Sequence, residues 1–193
     1  MTRPVRSRDD LSEGAANVGY EVHMCCEQSA RLMDQVVQAA LHPLDEVDTT
    51  LMNAWIEAHL LHARCITEFL VRPLPRQSGA MDMIRRDFAP DVPDWTPSPG
   101  ASAAWLNDHW QDFNRHLAHL SWHRGVSGPP WDYQRGAGDV LAVAQAWCTF
   151  AETHTGTEAM FRMRAQMLWG RQALAKAPAK WDALTPEQKA SVS

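Results

Sequence analysis

Residues 51–72 read LMNAWIEAHLLHARCITEFLVR, a stretch uninterrupted by glycine or proline. Trp55, Ile56, Leu60, Leu61, Cys65, Ile66, Phe69 and Leu70 fall at too many angles, at 3.6 residues per turn, to share one stripe. Such a helix is contacted from several sides, which makes it the expected centre of a helical bundle. Asp48, Thr49 and Thr50 ahead of it are good N-cap residues, and Pro73 and Pro75 behind it stop propagation.

Working outward, residues up to Ala15 are polar and unpatterned. Val18 to Leu41 then forms a long amphipathic segment closed at the pair His42 and Pro43. After the central stretch, a short helix is expected from Ser78 through residues 79–88. The proline-rich run APDVPDWTPSPGA (89–101) follows as a surface loop whose Trp95 packs back onto the bundle. Ser102 caps a helix that ends at Arg124 and Gly125, and a last long helix is expected from Gly138 to Leu174. Thr185, Pro186, Glu187 and Gln188 form a capping signal for a minor terminal turn. Period-two strand patterns are hard to find. The expectation is an all-α, single-domain bundle of four to five helices over residues 16–174, with a flexible N-terminal segment 1–15 and a polar C-terminal tail 175–193.

The chain of 193 residues is long enough for one domain with a buried core. Its net charge of −5 offers no global attraction to nucleic acid or an anionic membrane, so a phosphate-binding surface would have to be local, and DNA binding is not expected. No apolar run approaches membrane-spanning length. Cys25, Cys26, Cys65 and Cys148 contain no C-x-x-C spacing, which argues against a zinc knuckle and for reduced thiols in the cytoplasm. Nine tryptophans are a heavy load, and a tryptophan-rich surface is expected to pair the chain into a homo-oligomer, a dimer in the simplest case. Trp95, Trp131 and Trp181 are the contact points if the protein is a non-catalytic scaffold or partner-binding protein.

Chemistry concentrates in residues 109–124, HWQDFNRHLAHLSWHR, where four of the nine histidines stand. Leu106, Trp110, Phe113, Leu117 and Leu120 make the core-facing stripe. His109, Asp112, His116, His119 and His123 make a second row, offset by three positions or roughly 60°. On the central helix Glu57, Leu61, Arg64 and Glu68 form a partly polar stripe, with His59 and His62 on a neighbouring face. If the two helices are antiparallel neighbours, these rows converge on a polar pocket, to which Asp82 and Asp87 of the short helix could add.

Three readings stay open. In the first, the histidines flank the core and bond to carboxylates or backbone carbonyls, with Arg64 and Glu68 an i,i+4 pair. In the second, Asp112, His116, His119 and His123, helped by His62, hold one divalent transition metal such as zinc. In the third, no cofactor is used. Histidine takes a proton from a ribose hydroxyl while arginine stabilises the phosphorane charge, with Arg115, His116, His119 and Arg124 as the kit and Glu57 and Arg64 beside it.

Three resemblances sharpen these readings. HLAHLSWHRG, with His119, His123, Arg124 and Gly125, resembles the H-x-x-x-H-R-G helix of DinB-type metal-binding bundles, which would take a third ligand from His59 or His62. Arg115 and His119 are similar to the arginine–histidine motif of HEPN ribonucleases, although three residues rather than four to six separate them. That resemblance implies RNA processing or RNA binding by a small dimeric bundle. Across Trp55 to Arg124, the order of EAHLLHARCITEFL, MDMIRRDFAPDVPDW and NRHLAHLSWHR resembles a family of small bacterial all-helical proteins of no known activity. It marks Glu57, His62, Arg64, Asp82, Asp87, His119 and Arg124.

Overall fold

The computed structural model describes residues 5–42, 49–73, 83–117 and 132–190, with only the backbone described at 49, 115–117 and 177. These residues form six α-helices rather than four to five, and no strand: α1 (Arg8–Leu41), α2 (Thr49–Ile66), α3 (Gly100–Leu117), α4 (Tyr133–Thr155), α5 (Thr157–Asp182) and α6 (Pro186–Ala190). Among the described residues no helix is long and apolar enough to cross a membrane.

The first helix begins well before Val18. Ser7 Oγ accepts from the Asp10 backbone N–H at 3.1 Å, and Asp10 accepts from the Ser7 N–H at 3.0 Å, a reciprocal capping box that satisfies two otherwise orphaned donors. Asp10 is held below the usual carboxylate range by those bonds to Ser7. Gly14 and Ala15 are already buried, so the polar opening is structured from Arg8 onward. The expected last helix is two. Gly156, at φ 86, takes a backbone conformation that favours glycine and separates α4 from α5. Pro178 lies inside α5, which runs on to Asp182. The terminal turn is α6, where Thr185 and Gln188 cap each other at 2.8 and 3.3 Å.

α1, not α2, is the helix with neighbours on most sides: it runs along α5 and also packs on α2, α4 and α6. α2 exposes Leu51 and Leu61 and turns only part of its surface inward. The α1–α5 approach is close because Gly19 faces the Met163 backbone and Gly170 faces Cys26. Trp147 of α4 is fully buried, edge-on to Phe69 at 5.1 Å and to Phe88 at 4.9 Å. Trp95 and Trp181 are partly buried and pack against core clusters. Trp131 lies outside the described residues.

α2 continues into a π-turn, Thr67–Val71, rather than ending squarely. The Thr67 hydroxyl donates to the Ala63 carbonyl at 2.7 Å, and the Arg72 N–H reaches back to Thr67 O at 2.9 Å. The segment expected to be a short helix from Ser78 is, where described, a 3-10 turn at Arg85–Phe88. Arg85, only 5% exposed, grips Asp94 with two guanidinium bonds of 3.0 and 2.7 Å. It also donates to the carbonyls of Phe69 and Arg72 at 3.2 and 2.7 Å, and so clamps the π-turn's end to the proline-rich loop.

Candidate functional site

α2 presents its two histidines to α1. His59 is buried, with Nδ1–H donating to the Cys25 carbonyl at 3.0 Å and its ring edge-on to Tyr133 of α4 at 5.3 Å. The carbonyl can only accept, so Nδ1 carries the proton. Burial pushes this imidazole down to about 4, against the raising effect of that hydrogen bond, so it is neutral near pH 7. One turn on, His62 Nδ1 donates to Glu21 of α1 at 2.7 Å, beside the edge of Tyr20 at 6.0 Å. Carboxylate and imidazole in this relation are the orienting group and base of general acid–base chemistry. Cys65 completes the cluster and bonds to Glu21; burial first, then the Glu21 charge, raises its thiol and keeps it protonated. All four cysteines are free.

On α3 the described part of the histidine row is tied locally. His109 Nδ1 donates to the Trp105 carbonyl at 2.8 Å while its ring stacks on the Trp105 indole at 4.1 Å. Asp112 is half-buried. Leu106 and Phe113 are buried as their stripe requires. Arg115 and His116 fall in the last turn of α3. His119, His123, Arg124 and Asp82 lie outside the described residues. Arg64 pairs with Glu68 at 3.3 Å, the i,i+4 contact expected from spacing alone, and Glu57 is half-buried. Asp87 accepts from the Ile84 N–H at 3.1 Å and faces Arg6 at 3.9 Å, a loop-building role. α2 and α3 are neighbours, but His59 and His62 turn to α1 rather than toward α3. Among the described residues no group of three or more His, Cys, Asp or Glu could hold a metal ion.

A feature that the sequence reading passed over lies on α5. Phe161 is 67% exposed, and Leu168 and Trp169 are each 50% exposed. With Gln172 and Lys176 they occupy roughly 100° of the outer face, with Arg162 and Arg171 at its two edges. α5 carries Arg162, Arg164, Arg171, Lys176 and Lys180 against Glu158 and Asp182, in a chain of net charge −5. Arg164 is paired with Glu152, and Lys180 bonds to Asp34 at 2.7 Å. Arg162, Arg171 and Lys176 are exposed and have no ion-pair partner among the described residues. Between α5 and α4 runs a groove of about 340 Å³ lined by Arg164, Leu168, Arg171, Gln145 and Thr149. His23 steadies the opposite flank, donating to Gln166 at 2.9 Å and meeting Trp169 edge-on at 5.8 Å. Periodicity could have found this face, since Phe161, Leu168 and Trp169 recur at seven and eight positions.

Comparison with protein-family models, with curated proteins and with solved structures finds no match to this chain. What the geometry itself defines is an all-α bundle with a carboxylate–imidazole pair between α1 and α2 and a basic, aromatic outer face on α5.

Proposed function

We propose that this protein is a HEPN-like helical bundle that binds RNA along the outer face of α5 and processes it with arginine–histidine chemistry carried by the last turn of α3 and the residues that follow it. The observation that supports the reading is the interleaving, on one helix of an acidic chain, of Arg162, Arg171 and Lys176 with Phe161 and Trp169. Cations that need no protein partner neutralise phosphates, and exposed aromatic rings stack on unpaired bases. The groove beside Arg164 and Arg171 gives the backbone a track, and on the opposite flank, where Glu27 pairs with Arg31 and Asp34 with Lys180, Lys176 is the cation left over. In this reading His119 is the base, Arg115 and Arg124 stabilise charge on the phosphate, and His116, Glu57 and Arg64 are further candidates for the same chemistry. The reaction uses no metal, and the protein works as a dimer.

The test is fluorescence anisotropy with a single-stranded RNA of about 20 nucleotides across a salt series. Replacing Arg162, Arg171 and Lys176 together by alanine is expected to lower the salt slope by about 2, at roughly 0.7 per lost phosphate contact. Trp169→Ala is expected to weaken binding about tenfold at every salt concentration. Cleavage of the same RNA should survive chelator and be lost in His119→Ala. Absence of binding at 50 mM salt sinks the reading. If the α5 substitutions instead change the molecular mass in solution, the face joins copies of the chain.

A further inference from the structure

At the other end of α1, a cavity of about 270 Å³ opens between α1, α2 and the start of α4. Leu32, Met33 and Val36 of α1, Met52 and Ile56 of α2 and Tyr133 of α4 line it, so its wall is mostly apolar, with Ser29, Asp132 and Gln134 as its polar members. Flexible thioethers let such a wall adjust to the shape of a guest. Its size approaches the lower end of small-molecule pockets and exceeds an apolar cavity that holds benzene.

Ser29 also lines this cavity, fully buried, and its hydroxyl has no hydrogen-bond partner. The reason lies one turn back. A serine inside a helix ordinarily donates to the carbonyl four residues earlier, here that of Cys25. That carbonyl already accepts the His59 Nδ1–H at 3.0 Å in addition to its helical bond, so both lone pairs are taken. The Ser29 carbonyl is engaged in turn by Gln134 Nε2 at 3.0 Å. Asp132, the charged residue among those lining the cavity, spends a carboxylate oxygen on the Arg135 N–H at 2.9 Å as the cap of α4. A buried hydroxyl without a partner is costly unless something bonds to it, and the carbonyl this one would ordinarily use is already taken.

We propose that this cavity binds a small, neutral, mostly apolar molecule that carries a single hydroxyl, carbonyl or amide group, with the Ser29 hydroxyl as its hydrogen-bonding partner. An anion is disfavoured by the Asp132 carboxylate among the lining residues, and the apolar remainder of the wall favours a neutral guest. The site is independent of the α5 face, from which it is separated by the width of α1 in the helix order.

The experiment is calorimetric titration of the whole chain with 1-naphthol and with naphthalene, two neutral probes that differ by one hydroxyl. The expected result is binding of both, with 1-naphthol roughly fivefold tighter because only it reaches Ser29. Ser29→Ala should erase that preference while naphthalene still binds. Met52→Trp, checked for native helix content, should abolish binding of both by filling the cavity, whereas Trp169→Ala should leave binding unchanged. The proposal is overturned if neither probe binds the native protein, if wild type shows no preference for 1-naphthol, or if folded Met52→Trp binds as wild type does.

Discussion

His59 shows how one buried side chain makes stability depend on pH. Its imidazole is held near 4 inside the bundle, chiefly by burial, against an ordinary value of 6.5. Between those values the unfolded chain binds a proton that the folded chain does not. Stability is therefore full above about pH 6.5 and falls as the pH drops toward 4. Lowering the pH from 7 to 5 is expected to cost about 2 kcal/mol through this residue. Urea denaturation of wild type and His59→Gln at both pH values checks it: the variant should be less stable at pH 7 and lose less on acidification. Equal losses in the two proteins would mean that His59 is not the group responsible. At this scale the sequence was only half legible. It marked His59, His62 and Arg64 as one polar neighbourhood, and the Arg64–Glu68 pair follows from spacing alone. Which partner each histidine meets depends on how α2 is rotated about its axis, and packing sets that rotation.

At the scale of elements, starts and stops were readable where a side chain caps the backbone. Thr185 and Gln188 announced α6, and the same chemistry at Ser7 and Asp10 starts α1 before any apolar period begins. Gly156 was hidden because helical spacing continues on both sides of it, and the break is made by one residue at φ 86. The π-turn at Thr67–Val71 was hidden too, since its anchor is remote in sequence. Arg85 holds it through the Phe69 and Arg72 carbonyls and is itself held by Asp94. Arg85→Met removes those bonds and leaves two carbonyls and a carboxylate short of a partner; the expected cost is about 3 kcal/mol. Arg85→Lys should recover little of it, because an ammonium cannot reproduce the planar fork. Denaturation midpoints of the two variants decide this, and a Lys variant as stable as wild type would show that charge alone suffices.

Across the whole molecule, the pairing of α1 with α5 sets the shape. An added Cβ at Gly19 would stand 2.8 Å from the Met163 Cα and 3.2 Å from its carbonyl oxygen, so the two helices would have to part. Gly19→Ala is expected to lose roughly 1–2 kcal/mol net, even though alanine is the better helix former by about 1 kcal/mol. At Gly138 nothing lies within 4 Å, and Gly138→Ala should stabilise by up to about 1 kcal/mol. Chemical denaturation compares them directly, and a Gly19→Ala protein more stable than wild type would refute the close approach.

By itself the sequence determined that this chain is helical, because 3.6-residue periodicity, cap residues and prolines act within a few positions of one another. It also determined that any phosphate-binding surface must be local in a chain of net charge −5. Tertiary structure alone decided that α1 rather than α2 is the most surrounded helix, that His62 meets Glu21, that Ser29 is left without a partner, and that Phe161 and Trp169 stay outside. Each of these depends on which faces of two distant segments meet. That choice is made by the summed fit of side chains across the bundle, and no local pattern encodes it.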